Sequence, residues 1–165
     1  MKLLHGSNII VTSPNLKECH DGNDFGKGFY LTDNQRRAFL MARRRVLLRG
    51  GMISVSPFKF SIKSAVEAGL NVKRFPGFTV EWARFVLQNR RGEAPGNTFD
   101  IIIGPVADST IDNEIDKYID EFGPSYLQDS NLEILISRIS QFGIEYVQYC
   151  FRTERSLKQL SSISK

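Results

Sequence analysis

Segments with a two-residue period and segments with a 3.6-residue period are intermixed along this chain without regular strand–helix–strand alternation. That irregularity restricts the fold more than any other feature, because it favours α+β over a doubly wound parallel sheet and disfavours a Rossmann reading. "KLLHGSNIIVTS" reads as two short strand pieces around a Gly-Ser turn, and "GKGFYLT" as a strand rich in aromatic and β-branched residues. Gln35 to Arg49 reads as a helix stopped by Gly50 and Gly51, after which "MISVSPFKFSI" returns to extended structure. A second helix is expected at "TVEWARFVLQNRR", capped by Thr79, with Val80, Ala83, Val86 and Leu87 at helical spacing and Trp82 packing on its flank. "FDIII" is an apolar strand closed by Gly104 and Pro105. Ile111, Ile115, Tyr118, Ile119 and Phe122 mark a third helix, and Asn131 begins a fourth with Leu132, Leu135, Ile136 and Ile139 inward. The final strand is "EYVQYCF", followed by "TERSLKQL", a short helix capped by Thr153.

No repeat or low-complexity linker divides the 165 residues, so one domain over 1–165 is expected. Two cysteines, Cys19 and Cys150, are too few for a disulfide scaffold and lack metal-ligand spacing, which points to a reducing interior. The first residues form no signal-peptide core and no run could span a bilayer, so a cytoplasmic protein is expected, with no membrane partner. An effector exported without a classical signal would share these features. The net charge is +4, and the basic residues cluster in "RRAFLMARRRVLLR", Arg36 to Arg49. Such a run suits an anionic partner, nucleic acid included, but its ordinary account is a solvated helix face, and that is the expectation here.

"DFGKGFYLT", Asp24 to Thr32, places a Gly-Lys-Gly turn before a strand. A phosphate-binding glycine loop works because its backbone N–H groups converge on the anion with a following helix N-terminus. Here a strand follows, and the spacing and Ser/Thr of a P-loop are missing. The glycines instead let the backbone approach a flat ligand or another strand closely, or simply form a tight turn.

Strand alternation puts Phe29 and Leu31 on one face and Tyr30 and Thr32 on the other. His5 lies opposite Leu4, and Gln148 opposite Val147, Tyr149 and Phe151. If these strands are neighbours, an imidazole, a phenol and a carboxamide share a surface that can hydrogen-bond and stack on a sugar and an aromatic ring. Singly, each has a plain structural account as a satisfied histidine, a strand aromatic and a surface amide.

"LLHGS" followed by "DFGKGFYLT" resembles the first two signature segments of the ADP-ribosyltransferase superfamily, in its diphtheria-toxin and poly(ADP-ribose) polymerase branch. "VQYCF" sits where that branch keeps its third motif. With "WARFVLQNRR" and "FDIIIGPVADS", the pattern is similar to a bacterial group of domain-of-unknown-function proteins within that superfamily, over Leu3 to about Leu160. The resemblance implies a fold of two small antiparallel sheets forming a cleft with peripheral helices, and an NAD site in that cleft. It implies that His5 bonds the adenosine ribose, that Gly6 holds the nicotinamide carboxamide through its backbone, and that Tyr30 stacks on nicotinamide. Ser7 would stand behind them or touch the carboxamide, and Gly28 would leave room for the cofactor. The implied activity is mono-ADP-ribosyl transfer from NAD to a protein or nucleic-acid acceptor, with an antitoxin or immunity protein as a conceivable partner. A catalytically weak or inactive NAD/ADP-ribose-binding module is the alternative.

The departure is at the third motif, where the family's usual glutamate is matched by Gln148. Cleavage of the bond to nicotinamide develops positive charge on the ribose, which a carboxylate opposes and an amide meets only with a dipole. Losing such a group typically costs on the order of 10² to 10³ in rate. As substitutes, Glu145 falls on the wrong strand face, and Glu154 belongs to the start of a helix. Asp100 and Asp108 bracket "IIIGPVA" and are candidates for reaching a cleft, although Asp108 also suits a helix start.

Overall fold

A computed structural model describes residues 1–93 and 98–163. The fold is α+β, with two small sheets and six helices among these residues. The first sheet has the order β1 (Lys2–Ser7), β3 (Ser54–Lys59), β7 (Ser161–Ser162), all antiparallel. The second has the order β2 (Phe29–Leu31), β6 (Val147–Phe151), β5 (Ile101–Pro105), β4 (Val72–Arg74). In it β4 and β5 run parallel, so the expectation of two antiparallel sheets is corrected for this edge. The cause is α3 (Val80–Arg90), which lies between β4 and β5 in sequence and supplies the crossover that parallel neighbours need.

The sheets pack face to face. Leu3 and Phe58 of the first meet Phe29, Leu31, Ile101, Ile103, Tyr149 and Phe151 of the second in one buried cluster. The reverse face of the second sheet, with Ile102 and Cys150, is covered by Trp82, Val86 and Leu87 of α3, Ile111, Ile115 and Tyr118 of α4 (Ser109–Phe122), and Leu132, Leu135 and Ile139 of α5 (Asp129–Ser140). Because both faces are buried, its central strand β5 reads as a continuous apolar run instead of alternating. Trp82 is not on a flank: it is fully buried and its Nε1 donates to Pro105 O at 3.2 Å.

Helix α1 (Gln35–Arg49) starts and stops where its sequence says it should, with Asn34 accepting from Arg37 N and Gly50 closing the end at φ 72°. It lies directly on β1. A Cβ at Gly6 would fall 1.9 Å from Ala38 O and 2.9 Å from Ala42 N, so only glycine admits this approach.

Several expected boundaries move. β1 runs unbroken through Gly6 and Ser7, and "NIIVTS" is not a strand. Instead Asn8 turns the chain, donating its side-chain N–H to Gly50 O and accepting from Met52 N, which leaves Ile9 and Ile10 exposed. β2 begins only at Phe29, since Gly26 at φ 76° still belongs to the preceding turn. α2 (Ile62–Glu67) and β4 were not expected, although Ser61 caps α2 by accepting from Ser64 N. β5 continues through Gly104 and Pro105, where pairing with Gln148 and Val147 holds the chain extended. α5 begins two residues before Asn131, whose side chain donates to Ser125 O. β6 is followed by α6 (Glu154–Leu157), capped by Thr153, and then by β7, so it is not the last strand.

Candidate functional site

The two sheets are joined at one corner by a bridge between Leu4 and Thr32, with N–H···O distances of 2.7 and 3.0 Å. This bridge brings β1 beside β2, and β2 pairs in turn with β6. His5, Tyr30 and Gln148 therefore line one cleft of about 410 Å³, although they come from three strands in two sheets. One wall is α1, with Arg37, Met41, Arg44 and Arg45. The other is the connection from β1 to β2, with His20, Asn23 and Asp24.

His5 Nδ1 lies 2.8 Å from the Tyr30 carbonyl oxygen, which only accepts, so Nδ1 carries the proton and Nε2 is left as an acceptor. The ring stacks on Phe29 at a centroid distance of 4.3 Å. Burial pushes the imidazole below its ordinary pKa, the bond to Tyr30 opposes this, and the charge of Arg45 adds to it. The cleft thus holds a fixed neutral histidine.

Tyr30 is anchored at both ends. Its backbone pairs with Cys150, and its hydroxyl donates to Gly26 O at 2.7 Å while accepting from Phe25 N at 3.1 Å. Burial, with Cys150 and the charge of Asp24 adding, holds the phenol protonated far above its usual range. The glycine turn of the sequence therefore does position Tyr30, but the missing side chains serve other neighbours. A Cβ at Gly28 would lie 2.4 Å from Cys150 Sγ and 2.9 Å from Phe151 O, so β6 is what requires glycine there, although Gly28 also lines the cleft. Lys27 lines a separate depression with Thr98, Phe99 and Arg152.

Gln148 Nε2 is 2.8 Å from Asp24 Oδ2 and 3.4 Å from Pro105 O. Both neighbours accept, which fixes the amide with its nitrogen toward them, and among the described residues no donor bonds Oε1. Asp24 Oδ1 accepts from Arg90 Nε at 2.9 Å and Nη2 at 2.6 Å, while Oδ2 also accepts from Ala107 N at 3.1 Å. Arg90 reaches on to Asp112 at 2.6 Å. Burial pulls the guanidinium pKa down, and the two carboxylates more than offset it. Burial pushes the Asp112 carboxyl up against the pull of Arg90.

Of the remaining site expectations, Gly6 lines the cleft and Ser7 does not: its hydroxyl is 3.5 Å from Asn8 Oδ1. Asp100 and Asp108 serve structure. Asp100 accepts from Thr153 Oγ1 and Asn71 N, and Asp108 caps α4 by accepting from Thr110 N and Ile111 N. Glu145 and Glu154 are exposed and outside the cleft. The basic helix is only partly a solvated face, because Arg37, Arg44 and Arg45 line the cleft. Among the described residues these three form no salt bridge. Sequence reasoning missed Asp24 and Arg90. Asp24 opens the glycine segment, which is a local signal, but its partners are 66 and 124 residues away.

Among the described residues, no helix is long and apolar enough to cross a membrane. The chain belongs to the family described as "Protein of unknown function (DUF3990)", whose model matches residues 1–161. Neither the curated proteins nor the solved structures contain a match to it.

Proposed function

We propose that the cleft binds NAD and transfers its ADP-ribosyl group to a protein or nucleic-acid acceptor. The observation that carries this reading is the convergence of His5, Tyr30 and Gln148, far apart in sequence, on one cleft of about 410 Å³. That volume lies within the roughly 300–1,000 Å³ common for small-molecule sites. The HGS and FGKG segments supply the resemblance, and the cleft supplies chemistry that suits it. The His5 Nε2 lone pair can accept from a ribose hydroxyl, and the anchored Tyr30 ring can lie against a planar heterocycle. Arg37, Arg44 and Arg45 give the α1 wall an excess of positive charge suited to a diphosphate.

In the proposed reaction the bond between ribose C1 and the nicotinamide nitrogen breaks, and its electron pair leaves with neutral nicotinamide. A lone pair on an acceptor oxygen or nitrogen forms the new bond to C1, and the acceptor proton passes to solvent. Positioning of the ribose and the negative end of the Gln148 dipole would favour the positive charge that develops.

Incubating the folded protein with labelled NAD and cell lysate tests this. Label transfer with release of nicotinamide is expected; the absence of both overturns the reading. A second reading, a module that holds NAD or ADP-ribose without reacting, is favoured by the paired state of both cleft carboxylates, Asp24 and Asp112, on Arg90. Calorimetric binding weakened by Tyr30→Ala, with no nicotinamide released, would support it, and turnover by the unaltered chain would eliminate it.

A further inference from the structure

We infer that Asp24 is a positioning residue that orients Gln148, so that the amide offers its carbonyl oxygen, not its NH2 group, to a hydroxyl of the bound ligand. The inference rests on the reading of the cleft as an NAD site, where that hydroxyl belongs to a ribose.

Asp24 cannot itself serve the ligand. Its two oxygens receive four donors, Arg90 Nε and Nη2 on one and Ala107 N and Gln148 Nε2 on the other, which fills the sites a carboxylate offers. Its carboxylate side chain is only 9% exposed. Its influence on the cleft therefore passes through the amide. An amide that donates to an ionised carboxylate is held in one of its two orientations, and its carbonyl end becomes the more negative for that donation. Asp24 and Gln148 together imitate what a lone carboxylate would do at position 148, with the formal charge moved one hydrogen bond away from the ligand.

The same geometry explains why position 148 carries an amide. A carboxylate there would stand at hydrogen-bond distance from Asp24 Oδ2, and like charges so close disfavour each other strongly. Gln148→Glu alone should therefore harm the site, although by local chemistry it adds the charge that the reaction wants. Asp24→Asn alone should also harm it. An asparagine amide can donate toward Gln148, which turns the glutamine over and puts its NH2 group into the cleft. Combining the two substitutions removes the repulsion and restores a negative acceptor at 148, while Asp112 keeps Arg90 partnered.

The test uses NAD as the probe and four full-length chains: unaltered, Asp24→Asn, Gln148→Glu, and the double variant. Each single variant is expected to bind NAD about tenfold more weakly, the equivalent of one hydrogen bond, and the double variant to recover to within about threefold of the unaltered chain. Independent losses that multiply in the double variant, or a Gln148→Glu chain that binds as well as the unaltered one, would overturn the inference. The Gln148 side-chain NH2 resonances provide a readout that needs no ligand. They are expected to shift and to exchange faster with solvent in Asp24→Asn; unchanged resonances overturn the inference whatever NAD does. If the unaltered chain binds no NAD yet these resonances move, the NAD reading fails and the orienting role of Asp24 stands. Should Gln148→Glu not fold, Asp24→Asn and its NH2 resonances decide the matter.

Discussion

Gly6→Ala is the sharpest perturbation of this fold, because the clash it creates has no side-chain relief. The added Cβ would meet Ala38 O at 1.9 Å, Ala38 C at 2.8 Å and Ala42 N at 2.9 Å, all of them backbone atoms of α1. Ordinary contact begins at 3.4 Å, so the helix must retreat from β1 by about 1.5 Å. Overpacking of a well-filled interior costs roughly 1–3 kcal/mol, and a displaced helix backbone belongs at the upper end, about 3 kcal/mol. For a chain of this size that corresponds to a fall in Tm of about 6–12 °C. Arg37, Arg44 and Arg45 move with the helix, so ligand affinity should fall as well. Scanning calorimetry on Gly6→Ala measures the first effect, with Gly77→Ala as the control. At Gly77 an added Cβ meets only Ile144 Cδ1, at 3.6 Å, and no comparable loss is expected. A Gly6→Ala protein melting within about 2 °C of the unaltered chain would refute the argument that glycine is required by the approach of α1.

Tyr30→Phe leaves Gly26 O and Phe25 N without their shared partner, and urea melts should show a loss of about 1–3 kcal/mol, while the retained ring keeps most of any stacking on a ligand. His5 resists protonation in the folded protein more than in the unfolded chain. Its contribution is complete above roughly pH 6.5 and is lost as the pH falls from there through the lower folded value, so His5→Asn should flatten stability against pH between those two points. Arg90→Gln leaves the nearly buried Asp24 carboxylate without its counterion and should cost about 3–5 kcal/mol at neutral pH, read by chemical denaturation; a cost under about 1 kcal/mol would show that water replaces the pair.

The sequence alone determined the parts that depend on neighbours a few residues away. α1 from Gln35 to Arg49, the Thr79 and Thr153 caps, and the alternation that sets His5 opposite Leu4 all follow from local spacing and local hydrogen bonds. Tertiary structure alone decided how far each glycine position is constrained, because a side-chain vacancy acquires a reason only when α1 lies on Gly6 and β6 on Gly28. It also decided where the charge of the site resides. Asp100 and Asp108, the candidates that bracket β5, went to a turn contact and a helix cap, while Asp24, Arg90 and Gln148 were joined by the pairing of β2 with β6 and the packing of α3 beside them. Short-range chemistry is written in the order of residues, whereas electrostatic partners are chosen by distance in space, and separations of 66 and 124 residues leave no periodic trace by which to find them.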